Sequence, residues 1–139
     1  MYLCDTLPGS LKTHFQAASG FGNYEFVTEF PAIKRKIPLT KIIVSFGIDN
    51  AKITQPTDED GASVYDSYHD LETVVKFTIH GARDSGGESL YLAFSKIAGE
   101  VLENMSLEVD EISCSEVKYD RNTDSVRLVG KMTVVSTIA

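Results

Sequence analysis

The 139-residue chain has no tryptophan, two cysteines and four prolines. Two cysteines are too few for the disulfide framework of a small secreted scaffold, so we expect Cys4 and Cys114 to be reduced in an intracellular protein. The longest purely aliphatic run, Ile42 to Val44, is far below the roughly 20 residues that a membrane helix requires. The first residues also lack the basic and apolar regions of a secretory signal. The sequence therefore predicts a protein without a membrane partner.

Basic residues are also scarce: 13 Lys and Arg stand against 20 Asp and Glu, which gives a net charge of −7. A protein that binds nucleic acid through the phosphates needs a basic face, so we expect no sequence-specific nucleic-acid partner. The charge is unevenly spread, because residues 1–54 hold six basic and four acidic groups, a net of +2. Residues 55–139 must then carry −9. The chain is polarised along its length.

The remaining composition is that of one globular domain, with 42% apolar and 24% charged residues. A domain of this size buries about two-thirds of its unfolded surface, which is enough for a core without disulfides or metals. We predict one domain over residues 1–139.

Hydrophobic periodicity predicts the elements of this domain. Alternation of apolar and polar residues predicts strands over 23–30, 41–54 and 71–82, and a hairpin over 112–137. Ser85 and Glu88 match a capping box, and the apolar spacing after them predicts a long helix over about residues 86–105. That apolar stripe comprises Leu90, Phe94, Ile97, Ala98, Val101, Leu102 and Met105.

The first 22 residues are expected to be weakly structured. The spacing of Leu11, Phe15 and Ala18 permits a short N-terminal helix there. Asp49-Asn50 predicts a kink or a short turn in the second strand.

The order of elements predicts an α+β fold, a two-layer domain with a mainly antiparallel twisted sheet of about five strands and the helices on one face. The other face of the sheet would then be wet. It nevertheless carries apolar residues, which indicate a partner: Val27, Ile43, Val74, Val129 and Val135.

Two polar segments stand out as candidate contact regions. Residues 55–70 form a long acidic stretch, which we expect to be a mobile loop. Carboxylates at alternate positions of such a loop can bind a cation, but the remaining ligands of a calcium loop are absent, which favours a solvated acidic loop. The basic cluster between Pro31 and Pro38 is predicted to be an exposed connector, either a solvated or salt-bridging surface or an interaction patch.

The sequence motifs that could indicate a nucleophile, a zinc site or a phosphate site are all incomplete. The run Gly87-Glu88-Ser89-Leu90-Tyr91 has tyrosine where a nucleophile elbow needs its last glycine. The three histidines lack the short spacings of zinc ligands. The glycines before the long helix have no lysine beside them to hold a phosphate. We therefore expect no enzyme activity, no cofactor and no metal.

Several segments and their order resemble small tail proteins of phages and prophages from Gram-positive bacteria. They are the stretch from Ile37 to Ile48, the strand from Val74 to Ala82, the helix opened by Gly86-Gly87-Glu88, and the final hairpin with Tyr119-Asp120 and Val126-Arg127-Leu128. The likeness spans about residues 31–135 and is to tail-terminator-like, or tail-completion, proteins. That family often has a longer N-terminal helix than this sequence suggests.

The resemblance implies a non-enzymatic structural protein that forms a ring of usually six copies on the tail tube. Its partners would be other copies of itself, the tail-tube protein and the head-connector protein. It would be assembled in the bacterial cytoplasm and end in the virion tail. The candidate assembly contacts are Lys34, Arg35, Lys36, Asp58, Glu59, Asp60, Tyr65 and Tyr68.

A second interpretation remains open from the residues alone. The chain would then be a small cytoplasmic α+β module that binds a ligand or a partner. Its pocket would lie between the helix and the sheet, with Tyr65 and Tyr68 beside it.

Overall fold

The structure is a computed structural model, which describes residues 6–28, 41–54, 69–82, 84, 86–121 and 124–138. These residues form two helices and six strands. The elements are helices α1 (Leu7–Ala17) and α2 (Gly86–Asn104) and strands β1 (Tyr24–Thr28), β2 (Ile42–Thr54), β3 (His69–Ala82), β4 (Glu108–Cys114), β5 (Lys118–Asp120) and β6 (Ser125–Ile138). The predicted α+β class and both helices are confirmed, and the sheet has six strands rather than about five.

The strands form one mixed sheet in the order β1-β2-β3-β6-β4, and β5 pairs with β6. All pairs are antiparallel except β1 and β2, which are parallel. Strands that follow each other after a short turn favour antiparallel pairing, but β1 and β2 are separated by residues 29–41. A parallel pair needs a connection of about a dozen residues, which this interval supplies.

The C-terminal hairpin is confirmed in a longer form than predicted. Strand β6 pairs with β5 close to the turn and with β4 further along. The register shifts between Val109 and Glu111 in β4, and between Ile48 and Asn50 in β2. The second shift confirms the kink predicted at Asp49-Asn50.

Both helices cover the same face of the sheet. Helix α1 packs on β1 and β2, and α2 packs on β3, β6 and β4. The buried face of α1 consists of Leu7, Leu11 and Phe15. This helix begins at Leu7, before Pro8, because proline fits the first turn, where its missing N–H has no partner to lose. The N-terminal segment thus contributes more structure to the core than predicted.

Three side chains differ from the predicted pattern. Leu102 is 62% exposed, because the buried stripe of α2 runs through Leu90, Ala93, Ile97 and Val101 instead. Ile48 is 37% exposed, at the kink. On the other face of the sheet Ile43 is fully buried, so this end of that face is not wet. The other four apolar residues predicted on that face are half-buried: Val27, Val74, Val129 and Val135.

The predicted loop over residues 55–70 is two residues too long. His69 and Asp70 belong to β3, where Asp70 pairs with Thr54 on one side and Thr137 on the other. The rest of the predicted loop, residues 55–68, lies outside the described residues. The mobility expected of this segment therefore stays a prediction.

Candidate functional site

The eight candidate contact residues of the sequence all lie outside the described parts of the chain. The contact role of the basic cluster at residues 34–36 and of the acidic loop with its tyrosines therefore stays a prediction. Ser85, the predicted helix cap, also falls outside. The clusters that the described residues do form were not predicted from the sequence.

One cluster joins a histidine and a serine on the second face of the sheet. His80 of β3 is 5% exposed and Ser125 of β6 is fully buried. The His80 Nδ1 and Ser125 Oγ atoms are 3.2 Å apart, within hydrogen-bond distance. Burial lowers the pKa of His80, Asp120 opposes that shift and Arg127 adds to it. The imidazole is therefore held neutral.

This pair does not form a usable nucleophile and base. A nucleophilic serine must present its hydroxyl to a substrate, and Ser125 has no exposed surface. The hydrogen bond instead satisfies two polar groups inside the fold, which stabilises the neutral histidine there.

The buried histidine makes stability depend on pH. Because the folded pKa of His80 lies below the 6.5 of an ordinary imidazole, its contribution is complete above pH 6.5. The contribution is lost as the pH falls through the lower folded value, since protonation then favours the unfolded chain. We expect the free energy of unfolding to decrease from about pH 7 to about pH 5. Urea titrations at both pH values measure it.

The variant His80→Asn keeps a polar group near the Nδ1 position but does not titrate. It is expected to be less stable overall and to show a flatter pH dependence in this interval. His69→Gln, which removes a half-buried histidine at the start of β3, is the matched control. An unchanged slope in His80→Asn would contradict the assignment.

A second cluster is aromatic and lies between the helices and β1. Phe15, Phe21, Tyr24 and Phe26 form a network of stacked and edge-to-face rings. The Lys96 Nζ atom lies 4.9 Å from the Phe21 ring centroid and 5.0 Å from that of Tyr24. It also donates a hydrogen bond to the Gly20 carbonyl oxygen at 2.6 Å. Lys96 thus ties α2 to the segment after α1.

Two recesses adjoin α1. One, of about 280 Å³, is lined by the aromatic network, Glu25 and Lys41. The described residues that line the other, of about 660 Å³, belong to α1 and the residue before it, from Thr6 to His14. Ligand sites are usually lined by several elements with convergent polar groups and occupy roughly 300–1,000 Å³. Among the described lining residues, neither recess combines such a volume with such a lining.

The two edges of the sheet are the most distinctive surfaces. Residues 48–54 of β2 pair with β3 on one side, and the pairing of β1 with β2 ends at Thr28 and Phe46. No described strand covers the other side of residues 48–54, which we call the β2 edge. Residues 108–114 of β4 pair with β6 alone among the described strands, and we call their outer side the β4 edge.

The two edges differ in charge. The β2 edge carries one acidic and one basic residue, Asp49 and Lys52, and is neutral overall. Residues 97–117, with six acidic and no basic groups, supply the end of α2 and β4 at the other end of the sheet. The β4 end of the sheet is therefore acidic, and the β2 edge is not.

Comparison with known proteins adds no family. No family model matches the chain, and no curated protein is detectably similar to it. Neither of the two described helices is long and apolar enough to span a membrane.

Proposed function

We propose that this protein is a non-enzymatic structural subunit of a phage or prophage tail, which assembles with copies of itself into a ring as a tail terminator or head–tail joining component. The observation that carries the proposal is the pair of open sheet edges, of which the β4 edge is strongly acidic and the β2 edge is neutral. The resemblance of residues 31–135 to tail-completion proteins supports it.

The charges of the edges favour contact in one sense only. Two β4 edges repel each other, because each carries Glu108, Asp110 and Glu111 on one short strand. The neutral β2 edge of another copy has no such repulsion and offers Lys52 to these carboxylates. Head-to-tail contacts of this kind close into rings when the rotation between neighbours permits it.

The net charge suits a ring through which DNA passes. A chain with a net charge of −7 does not attract phosphates, so an acidic lumen lets DNA slide without binding it. The partners of the ring would be the tail-tube protein on one side and the head-connector protein on the other. Both contacts are mechanical and require no catalytic group.

The alternative is a small module that binds a ligand, and the recess beside the aromatic network is the observation that favours it. A ligand selective for the folded state would raise the melting temperature. A thermal-shift screen of common metabolites without a single stabilising compound counts against this alternative.

The proposal is tested with the tail-tube protein encoded by the same genome. Tubes polymerised from that protein in the presence of this one should be shorter and capped by a ring at one end. Electron microscopy of negatively stained tubes measures both features. Tubes of unchanged length with bare ends would overturn the role in termination.

A further inference from the structure

We propose that the β2 edge of one copy pairs with the β4 edge of the next, so that neighbouring sheets join edge to edge around the ring. The inference rests on the proposed function, because it names the surface through which the copies assemble. The occupant of each edge is thus a second copy of this chain.

The strand directions make this pairing antiparallel. Strands β2 and β6 both run antiparallel to β3, and β4 runs antiparallel to β6. Strand β4 therefore runs opposite to β2 within one copy. If neighbouring copies are related by rotation about a ring axis close to the strand direction, each strand keeps its direction from copy to copy. Strand β4 of one copy then meets β2 of the next in the antiparallel arrangement. That arrangement is slightly more stable per residue than the parallel one.

The side chains of the two edges alternate in matching order. In β2, Ala51 and Ile53 share the helix-covered face with their partners Thr73 and Leu71, while Lys52 lies on the opposite face beside Glu72. Ile53 is 61% exposed, so it is available to a partner. The β2 edge thus offers apolar groups on one face and the Lys52 cation on the other, while its one acidic residue, Asp49, is paired with Lys131 at 3.1 Å.

In β4 the same division holds. Val109 and Ile112 share the helix-covered face with their partners Val134 and Met132, both in the core. Glu108 and Glu111 lie on the opposite face. An antiparallel pairing in register therefore sets apolar residues against apolar residues, and Lys52 against a glutamate of the neighbour.

The charges at the β4 edge are available for such a partner. Among the described residues, no basic side chain lies within ion-pair distance of Glu108, Asp110 or Glu111. The Lys52 side chain is 65% exposed even though its Nζ lies 3.1 Å from Glu72 Oε2. Lys52 can therefore approach a second carboxylate without leaving the first.

Charge reversal tests the pairing. The variants Lys52→Glu and Glu111→Lys each place like charges at the contact between identical copies. We expect the dissociation constant for self-association to rise about tenfold or more in each, because like charges that face each other at an interface are unfavourable. Sedimentation velocity over a concentration series measures it. Lys12→Glu, the same charge change on α1, is the control that should assemble like the wild type.

Mixing the two variants supplies a result that a folding defect would not give. In a mixture of equal parts, two kinds of contact form between unlike variants. In one, the glutamate introduced at position 52 meets the lysine introduced at position 111. In the other, the native Lys52 of one variant meets the native Glu111 of the other. Assembly should return in the mixture and also in the double variant Lys52→Glu/Glu111→Lys. Thermal melting of each single variant checks that its fold is intact, since an exposed ion pair such as that of Lys52 contributes little to stability.

Failure of the pairing and failure of the proposed function give different results. If the wild type assembles and both reversed variants assemble equally well, the ring uses another surface and this inference is wrong. The same holds if the variants fail to assemble and neither the mixture nor the double variant restores assembly. If the wild type remains a monomer at every concentration and leaves tail tubes uncapped, the proposed function itself fails.

Discussion

Replacing Phe15 with alanine is expected to lower the free energy of unfolding by about 3–5 kcal/mol, a large share of a typical domain's stability. Phe15 is 1% exposed and carries α1 onto the sheet. Its ring stacks on Phe26 at 5.2 Å and on Phe46 at 5.6 Å between centroids. Truncation leaves a cavity between the helix and two strands that rigid aromatic neighbours cannot fill.

Urea unfolding followed by circular dichroism measures this loss. The neighbouring variant Gln16→Ala changes an exposed position of the same helix and is the control, with an expected effect within about 0.5 kcal/mol. Equal stabilities of the two variants would mean that α1 is not part of the core.

Replacing Gly130 with alanine should cost about 2–3 kcal/mol by overpacking. Gly130 lies in β6 directly opposite Phe77 of β3, and the phenyl ring covers it. A β-carbon there would overlap three ring atoms of Phe77, with Cε1 at 2.9 Å. The ring cannot move aside easily, because it is fully buried and stacks on Phe94 at 5.8 Å.

Two further variants isolate this cause. Gly99→Ala makes the same change inside α2, where a β-carbon meets nothing within 4 Å, and should stabilise the protein by about 0.5–1 kcal/mol. Phe77→Leu, which shortens the covering side chain, should reduce the cost of Gly130→Ala when the two are combined. Strictly additive losses in the double variant would show that the ring does not fill the space above Gly130.

Long periodic segments of the sequence predicted the fold well. The apolar spacing of α2 and the alternation in β3 and β6 predicted these elements to within a few residues, because both patterns are local and strong. The boundary of the buried stripe was less accurate, since Leu102 is exposed although it follows Val101 directly. A single turn of helix carries both buried and exposed apolar residues, and only the position of the sheet decides between them.

Features that depend on distant parts of the chain were not predictable. The parallel pairing of β1 with β2 follows from the connection between them, and no residue in either strand indicates it. The helix α1 was underestimated because its stability comes from packing in the core, where Phe15 stacks on Phe26 and Phe46, rather than from helix propensity. The hydrogen bond between His80 and Ser125 joins residues 45 positions apart.

The candidate site shows the same division. The acidic residues between 100 and 116 were visible in the sequence. Their position at an open edge emerged only from the strand order, which places β4 at the end of the sheet. The eight contact residues predicted from loops lie outside the described residues, and their role stays a prediction.

The mass of the purified protein in solution, measured by light scattering over a concentration series, tests the central claim most directly. Head-to-tail assembly into a closed ring predicts a rise from 15.3 kDa to a single discrete multiple of that mass. Added salt should lower the proportion of the ring, because it screens the charges at the exposed edges. A mass of 15.3 kDa at every concentration, or growth without a limiting size, would contradict the account.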